Sequence, residues 1–331
     1  MMNCEYEDKI FSTDSRNFEQ LALEIFRFQY QHNPIYQKYV NALQKVGDRV
    51  HSLSQVPFLP IQVFRNNSVQ TTPFKAETIF ESSGTTGAAT SRHFVKDLSL
   101  YRKSFMRTWE MFYGPVQEWC IIGLLPSYLE RQHSSLIVMV NELVRQSGHP
   151  DSGFYLYEFE KLSKVLERLE AAGQKTLLLG VTFALLDFAD IFPIPLQNTI
   201  VMETGGMKGR RQELTRQEVH AVLRKAFNLN SIHSEYGMTE LLSQAYASQD
   251  GHFHCPPWMR IMVRQEDDPF ALSEAGSGLI NVIDLANLYS CSFIATDDVG
   301  KMKSGEGFEI LGRMDNSDIR GCSLLVANGE W

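Results

Sequence analysis

Six consecutive small residues form the most chemically distinctive stretch of this sequence. They follow a predicted strand, Glu77–Glu81, and read Ser82, Ser83, Gly84, Thr85, Thr86 and Gly87. In a tight turn, their hydroxyl and backbone N–H groups create a concave surface of positive potential that binds anions, phosphate above all. The loop is not a P-loop, because Ala88 rather than lysine follows its last glycine. A flexible surface loop would have the same composition, so other motifs must decide between the two interpretations.

A second polar cluster begins at residue 235. It reads Glu235, Tyr236, Gly237, Met238, Thr239 and Glu240. Gly237 permits a sharp bend, the Thr239 hydroxyl can donate to a phosphate oxygen, and Glu240 offers the carboxylate oxygen that Mg²⁺ prefers. The alternative is a turn from a strand into a helix, with Thr239 as the helix cap.

Three shorter motifs contain further polar or glycine residues after predicted strands. They are Glu203–Met207, Thr296–Gly300 and Gly312–Asp315. Glycines after a strand let a flat ring approach the backbone, and an aspartate can accept two hydrogen bonds from neighbouring hydroxyl groups. A plain tight turn and a surface salt bridge are the alternatives for these motifs.

The motifs and their order resemble those of the adenylate-forming superfamily, which includes acyl-CoA synthetases, adenylation domains and firefly-type luciferases. Three other segments are most similar to the acyl-protein synthetase branch and to the phenylacetate–CoA-ligase-like branch; they are Pro57–Pro60, His254–Trp258 and Ile319–Cys322. The resemblance implies that ATP, with Mg²⁺, activates a carboxylic acid as its acyl adenylate.

The resemblance also implies a role for each motif residue. Ser82–Gly87 would bind the phosphates of ATP, and Glu235–Thr239 would contact the nucleotide, with Tyr236 stacking on the adenine. Thr239 and Glu240 would be catalytic, and Glu240 would hold the metal ion. Gly205, Gly206 and Met207 would contact the edge of the adenine.

The same comparison assigns the ribose contacts to the end of the chain. Asp298 would accept hydrogen bonds from the ribose hydroxyl groups, and Arg313 would contact the ribose or the α-phosphate. Asp297 stands where the superfamily has glycine, but the register of Thr296 and Val299 favours Asp298 as the ribose ligand.

A cysteine near the end of the sequence is the candidate nucleophile. In the acyl-protein synthetase branch such a cysteine accepts the acyl group, and Cys322 matches it in local sequence and position. A thioester needs a thiolate, which the neighbouring Arg320 would favour. A buried packing cysteine is the open alternative.

The composition is that of an ordinary globular protein. The chain has 331 residues, of which 44% are hydrophobic and 21% charged, and a net charge of −8 that argues against a nucleic-acid partner. We expect no signal peptide, no membrane segment, and five reduced cysteines in a cytoplasmic protein.

Strand and helix patterns alternate around the motifs. Apolar runs typical of strands covered on both faces occur at Trp119–Leu125, Thr176–Val181 and Thr199–Glu203. Helical patterns occur at Gln132–Gln146, Glu158–Ala171, Phe183–Ala189 and Gln212–Phe227, and earlier within residues 14–48. The final third has closely spaced strands at Gly278–Asp284, Ser290–Thr296 and Glu309–Leu311, which predict an antiparallel or barrel-like subdomain.

We therefore expect an α/β fold, namely the N-terminal domain of an adenylate-forming enzyme. It would combine mostly parallel sheets flanked by helices with a small β-barrel-like subdomain, over residues 1–311. Residues 312–331 would be a hinge-like remnant or C-terminal tail. Full-length members carry a mobile C-terminal lid with a catalytic lysine; we expect this chain to lack the full lid, and we assign that lysine's role to no residue.

The expected activity is ATP-dependent activation of a fatty or aromatic acid, followed by transfer to a thiol. The thiol would be Cys322, an acyl-carrier protein or coenzyme A, and an oligomer is possible. The alternative is a non-catalytic subunit that binds nucleotide or acyl groups and assembles with a partner that supplies the lid or a reductase.

Overall fold

Helices cover most segments in which apolar residues recur at helical spacing. The computed structural model describes residues 2–44, 49–82, 90–125, 133–205, 214–249, 251–303 and 307–314, with the backbone alone for 2–5 and 303. In chain order the helices are α1 (Met2–Phe11), α2 (Phe18–His32), α3 (Pro34–Ala42), α4 (Val63–Asn66), α5 (Leu98–Tyr113), α6 (Ser135–Ser147), α7 (Phe159–Ala171), α8 (Thr182–Ile191) and α9 (Arg216–Phe227). None of these described helices is both long enough and apolar enough to cross a membrane.

Local sequence explains where several helices begin. The Asn33 side chain accepts a hydrogen bond from the Tyr36 N–H at 3.0 Å, and Pro34 is the first residue of α3. A capping box of Thr215 and Glu218 begins α9. These caps satisfy N–H groups that have no partner within the helix.

The strands in the described part of the chain form three sheets. In chain order they are β1 (Leu59–Pro60), β2 (Thr78–Glu81), β3 (Arg92–Val95), β4 (Cys120–Leu124), β5 (Gly153–Phe154), β6 (Thr176–Val181), β7 (Thr199–Thr204), β8 (His233–Tyr236), β9 (Ala245–Ala247), β10 (Met259–Arg264), β11 (Leu272–Ser273), β12 (Gly276–Asp284), β13 (Phe293–Lys303) and β14 (Gly307–Arg313).

The chain divides into two compact units. Unit 1 contains Met1–Ser104, Met238–Ser243 and Cys255–Trp331, and unit 2 contains Phe105–Gly237 and Gln244–His254. The domain boundary predicted at Gly312 stays a prediction, because residues 315–331 lie outside the described residues.

Unit 2 is built on a mostly parallel sheet. Its strand order is β5-β4-β6-β7-β8-β9, and every neighbouring pair is parallel except β8 with β9. All residues of β4 and β6 are buried, as the unbroken apolar runs predict for strands covered on both faces. The predicted strand and helix alternation is therefore confirmed in this unit.

Unit 1 is built on a mainly antiparallel sheet. Its strand order is β1-β13-β12-β10-β11, with β14 also paired to β13, and the short β1 is parallel to β13. An aromatic cluster fills the core, where the Phe293 ring lies 6.1, 6.3 and 6.0 Å from the rings of Phe26, Tyr36 and Phe58. The antiparallel arrangement predicted for the final third is confirmed.

One predicted strand begins later than expected. The sequence places a strand at Ser290–Thr296, but β13 begins at Phe293. The preceding residues form a turn, because the Gln29 amide donates to the carbonyl of Leu288 at 2.9 Å and the Asn33 amide donates to the carbonyl of Ser290 at 2.9 Å. Bonding from a distant helix thus replaces the strand ladder at this point.

Candidate active site

The predicted phosphate loop connects the antiparallel strands β2 and β3 of unit 1. Beyond the paired strands, the Ser82 N–H donates to the Ser91 carbonyl at 3.0 Å, and the Ser91 N–H donates to the Ser82 hydroxyl at 2.9 Å. Ser82 and Ser91 therefore close the stem of the loop. The rest of the predicted loop, Ser83–Gly87, lies outside the described residues, so its phosphate contacts stay predictions.

The segment after β8 turns without starting a helix. Gly237 is exposed, Met238 and Thr239 are half-buried, and the Leu241 N–H donates to the Met238 carbonyl at 3.1 Å. The chain then continues into β9. The alternative interpretation of Thr239 as a helix cap is therefore wrong.

Two buried side chains hold the backbone of Thr239 and Glu240. The Nδ1–H of His93, on β3, donates to the Thr239 carbonyl at 2.9 Å, and the Nδ2–H of Asn287, in the turn after β12, donates to the Glu240 carbonyl at 2.6 Å. Burial lowers the pKa of His93 to about 4, so its ring is neutral at physiological pH. No motif in the sequence marks either residue.

The Glu240 carboxyl group is buried beside the loop stem. The residue is 4% exposed, and burial raises its pKa. A hydrogen bond from the Ser91 side chain, followed by the positive charges of Arg313 and Arg65, opposes this rise. Within unit 1, Ser91 of the loop stem thus contacts Glu240, and His93, two residues further on, contacts Thr239.

Asp284 anchors the residues that follow Glu240. Its carboxyl oxygens accept hydrogen bonds from the N–H groups of Leu242 and Ser243 at 2.7 and 3.0 Å, and from the Ser243 hydroxyl at 2.6 Å. Burial raises its pKa to about 6. No sequence pattern marks Asp284 as a supporting residue, because its partners lie 41 and 42 residues away.

Two adjacent aspartates on β13 have different contacts. The Asp297 carboxyl accepts a hydrogen bond from the Gln62 side chain at 2.5 Å. Asp298 is paired in register with Arg313 on β14, and its Oδ1 lies 3.7 Å from the Arg313 Nε. Neighbouring residues of a strand point to opposite faces, so only Asp298 shares a face with Arg313. This arrangement favours Asp298 as the ribose ligand, a role that stays a proposal.

In unit 2, Gly205 lies directly after β7. It adopts a positive φ of 66°, and its carbonyl accepts a hydrogen bond from the Thr182 hydroxyl at 2.8 Å. The other two residues predicted at the adenine edge, Gly206 and Met207, lie outside the described residues.

The Glu235 side chain lies against the backbone of Gly237. The Thr204 hydroxyl donates to Glu235 Oε2 at 2.5 Å, and burial raises the Glu235 pKa to about 7. A Cβ atom at position 237 would overlap Glu235 Oε1. Tyr236 is 8% exposed, and its ring lies 5.9 Å from that of Phe253. The nucleotide contacts of Glu235 and Tyr236 stay predictions.

A charged cluster supports the end of β7. Glu203 Oε1 lies 3.0 Å from Arg216 Nε and 3.6 Å from His220 Nε2, and Ser234 Oγ lies 3.3 Å from the same His220 nitrogen. Burial raises the pKa of Glu203, but hydrogen bonding from His220 and the charge of Arg216 more than offset it, so the net pKa is lowered. Arg216 and His220 are one turn apart on α9, a spacing that marks one helix face in the sequence.

The three cysteines with described side chains are poor nucleophiles. Burial raises the pKa of Cys120 to about 11 and that of Cys291 to about 12, and it raises the pKa of Cys255 further. A thiol with a raised pKa carries little thiolate at neutral pH. Cys322, the candidate acyl acceptor, lies outside the described residues.

A surface depression lies in unit 2, away from these motifs. It has a volume of about 870 Å³, and Tyr155, Tyr157 and Lys161 are among its lining residues. None of the predicted site residues lines it.

A family model and two curated bacterial proteins match almost the whole chain. The model, described as acyl-protein synthetase, LuxE, matches residues 8–329. The long-chain-fatty-acid–luciferin-component ligase of Aliivibrio fischeri is 25% identical over 366 aligned residues, which cover 98% of this chain and 94% of that protein. The ligase of the same description from Vibrio harveyi is 22% identical, with 93% and 86% covered.

Solved structures of adenylate-forming ligases share the fold. An open conformation of 2-hydroxyisobutyryl-CoA ligase, in complex with 2-HIB-AMP and CoA, has a TM-score of 0.65 at 12% identity and covers 95% of this chain and 79% of its own. ATP-bound MatB from Rhodopseudomonas palustris has a TM-score of 0.56 at 17% identity, with 75% and 49% covered. The predicted α/β adenylate-forming fold is confirmed by these similarities.

Proposed function

Because the chain belongs to the acyl-protein synthetase family, LuxE, we propose that it uses ATP to activate a fatty or aromatic acid as an acyl adenylate and transfers the acyl group to a thiol. The names of the two bacterial relatives make a long-chain fatty acid the first substrate to test. The acceptor thiol is that of Cys322, of a carrier protein or of coenzyme A.

One observation in unit 1 carries the proposal. Ser91, directly before β3, hydrogen-bonds the Glu240 carboxyl group and so opposes the rise of its pKa, and His93 on β3 donates to the Thr239 carbonyl at 2.9 Å. The stem of a phosphate-type loop and a turn with a hydroxyl and a carboxylate are thereby held together. Hydroxyl donors next to one carboxylate suit a nucleotide triphosphate that arrives with a divalent cation.

The proposed reaction has two balanced steps. A carboxylate oxygen of the acid forms a bond to the α-phosphorus of ATP, while the bond from that phosphorus to the bridging oxygen breaks and pyrophosphate leaves with the electron pair. A thiolate sulfur then forms a bond to the acyl carbon, and AMP leaves as the carbon–oxygen bond breaks. The thiol has lost its proton before this attack.

The chain's residues take defined parts in the first step. Ser82–Gly87 and Thr239 would donate hydrogen bonds to the phosphates, and Asp298 with Arg313 would hold the ribose side of the nucleotide. Gly205–Met207 and Glu235–Met238 remain the proposed contacts for the rest of the nucleotide. Holding the reactants in line is the main contribution that a protein makes to such a transfer.

Glu240 fits a Mg²⁺ ion that enters with ATP. Among the residues the structure describes, no group of three histidine, cysteine, aspartate or glutamate side chains could hold a metal ion alone. Mg²⁺ commonly binds through one or two carboxylates together with substrate phosphates, so a single buried carboxylate suffices. The ion would neutralise negative charge that develops on the phosphates.

Mass spectrometry of a quenched reaction tests the proposal. The protein is incubated with Mg·ATP and a panel of tagged fatty and aromatic acids, and acyl-AMP and acylated peptides are measured. We expect acyl-AMP with at least one long-chain acid and a hydroxylamine-sensitive adduct on Cys322 that Cys322→Ser lacks. Cys120, Cys255 and Cys291 serve as internal controls. Acyl-AMP without an adduct would make the acceptor external, and absence of acyl-AMP with every acid would contradict the proposed activity.

A further inference from the structure

The Thr239–Glu240 turn is held by two donors that come from other parts of unit 1. His93 lies 146 residues from Thr239 in sequence, and Asn287 lies 47 residues from Glu240. The two donors are 1% and 0% exposed. Each carbonyl of the turn therefore receives its own buried side-chain hydrogen bond.

The two donors carry no net charge. The His93 ring donates from Nδ1 and is neutral, and Asn287 donates from a neutral amide. Neutral donors add no charge beside a carboxylate that is to bind a cation, whereas a buried cation in their place would compete for it. Their effect on Glu240 is thus geometric.

His93 links the turn to the loop stem. Ser91 directly precedes β3, and both Ser91 and His93 are buried, whereas Arg92 between them is exposed, so the two side chains lie on the same side of this segment. Ser91 bonds the Glu240 side chain and His93 bonds the Thr239 backbone. One side of this segment therefore sets both the position of the turn and the direction of its carboxyl group.

Asn287 is itself held firmly. The Gln29 amide donates to the Asn287 carbonyl at 3.1 Å, and the preceding Asp284 bonds Leu242 and Ser243 beyond the turn. The Asn287 side chain also hydrogen-bonds the His93 ring, an interaction that partly opposes the lowering of the His93 pKa by burial. The Asn287 amide thus links the Glu240 carbonyl to the second donor of the turn.

We propose that His93 and Asn287 are positioning residues for adenylation, which fix the Thr239–Glu240 turn against the loop stem so that its hydroxyl and carboxyl groups reach one triphosphate together. This inference rests on the proposed function. Neither side chain touches the reacting atoms; both act through the backbone of the turn.

Paired substitutions at each position test the inference. His93→Leu removes the donor, whereas His93→Asn keeps an amide N–H close to the position of Nδ1. Asn287→Leu removes the other donor. We expect each leucine variant to lower the rate of pyrophosphate exchange at saturating acid by about 10- to 100-fold, the equivalent of one lost buried hydrogen bond expressed in the transition state. His93→Asn should recover most of that loss.

Tyr36→Phe is the matched control. It also removes a buried donor to a backbone carbonyl of unit 1, since the Tyr36 hydroxyl donates to the Pro57 carbonyl at 2.6 Å. We expect it to lower the melting temperature while the Mg²⁺ concentration for half-maximal exchange stays at the wild-type value. The leucine variants should raise that concentration. Leucine variants that lose stability but keep the wild-type Mg²⁺ dependence and exchange rate would overturn the inference.

Hydrogen exchange separates this inference from the proposed function. In ligand-free protein, His93→Leu and Asn287→Leu should speed amide exchange in the peptide that covers residues 238–243, and Tyr36→Phe should not. This measurement needs no turnover, so the inference can be tested even where the wild type forms no acyl adenylate. Unchanged exchange in that peptide would overturn the inference and leave the proposed function standing. Absent acyl adenylate would overturn the proposed function and with it the role in adenylation, even if the exchange data showed that both side chains hold the turn.

Discussion

The side-chain contacts that support residues 235–240 and the neighbouring end of β7 differ between the two units. In unit 1, neutral donors bond the backbone carbonyls of Thr239 and Glu240. In unit 2, the carboxyl groups of Glu203 and Glu235 are bonded by charged and hydroxyl side chains. Backbone-directed neutral contacts fix geometry without changing local charge, whereas buried carboxyl groups, which in unit 1 are those of Glu240 and Asp284, make stability depend on protonation. Substitutions in the two units should therefore differ in which property they change.

The largest expected effect belongs to the carboxyl group of unit 1. Glu240→Gln keeps the shape of the side chain but removes the charge that a hard cation prefers. We expect acid-dependent pyrophosphate exchange to fall by about 100-fold or more, since metal binding contributes several kcal/mol to charge stabilisation. In calorimetry, the Kd for AMP should stay within about threefold of the wild-type value, which is a change of less than about 1 kcal/mol in binding free energy. Equal losses of exchange and AMP binding would show that Glu240 is only structural.

A second substitution tests the packing in unit 2. Gly237→Ala introduces a Cβ atom that overlaps Glu235 Oε1, and we expect about 1–3 kcal/mol of destabilisation from this overpacking. Urea unfolding of Gly237→Ala, Glu235→Ala and the double variant measures the coupling between them. The free energy of unfolding should fall by less in the double variant than the sum of its decreases in the two single variants. Additive losses would mean that the Glu235 side chain moves away at no cost.

The third effect concerns the ribose side of the nucleotide. ATP with Mg²⁺ should raise the melting temperature of the wild type, because a ligand that binds only the folded state stabilises it. Asp298→Ala should remove most of that shift. Asp297→Ala is the matched control, since its carboxyl group bonds Gln62 instead, and it should keep most of the shift. A larger loss in Asp297→Ala would reverse the assignment of the two aspartates.

The smallest effect is a change in pH dependence. The Glu235 pKa is about 7 in the folded protein against 4.5 as the ordinary value. Between pH 4.5 and 7 the Glu235 carboxyl group is ionised in the unfolded chain but still protonated in the folded protein. Its contribution to the free energy of unfolding therefore falls as pH rises, by at most about 1.4 kcal/mol per pH unit. His93 and His233, whose pKa values burial lowers, contribute the opposite slope in both proteins. Stability curves of wild type and Glu235→Gln should therefore diverge between pH 4.5 and 7; parallel curves would contradict the raised pKa.

The sequence predicts the fold well where one residue pattern dominates. The nearly unbroken apolar runs of β4, β6 and β7 are typical of strands covered on both faces, so these strands follow from local pattern alone. Helix α5 was missed although Tyr101, Phe105 and Trp109 recur at four-residue spacing, which is a signal present in the sequence. The start of β13 could not be predicted, because distant Gln29 and Asn33 determine the preceding turn.

The supporting residues of the candidate site are a different case. Thr239 and Glu240 were found because their types and spacing match a motif. His93 and Asn287 donate to backbone carbonyls, and every residue has such a carbonyl, so no residue pattern marks the partner. Only the fold brings these donors to the turn.

Acid-dependent exchange of labelled pyrophosphate into ATP tests the central claim most directly. The wild type should incorporate label only when Mg²⁺ and a suitable carboxylic acid are present, with long-chain fatty acids examined first. Removing the acid or chelating the metal should abolish the incorporation, because the adenylate must form and reverse for label to enter ATP. No incorporation above background with any acid at millimolar ATP, from protein that ATP fails to stabilise, would contradict the account.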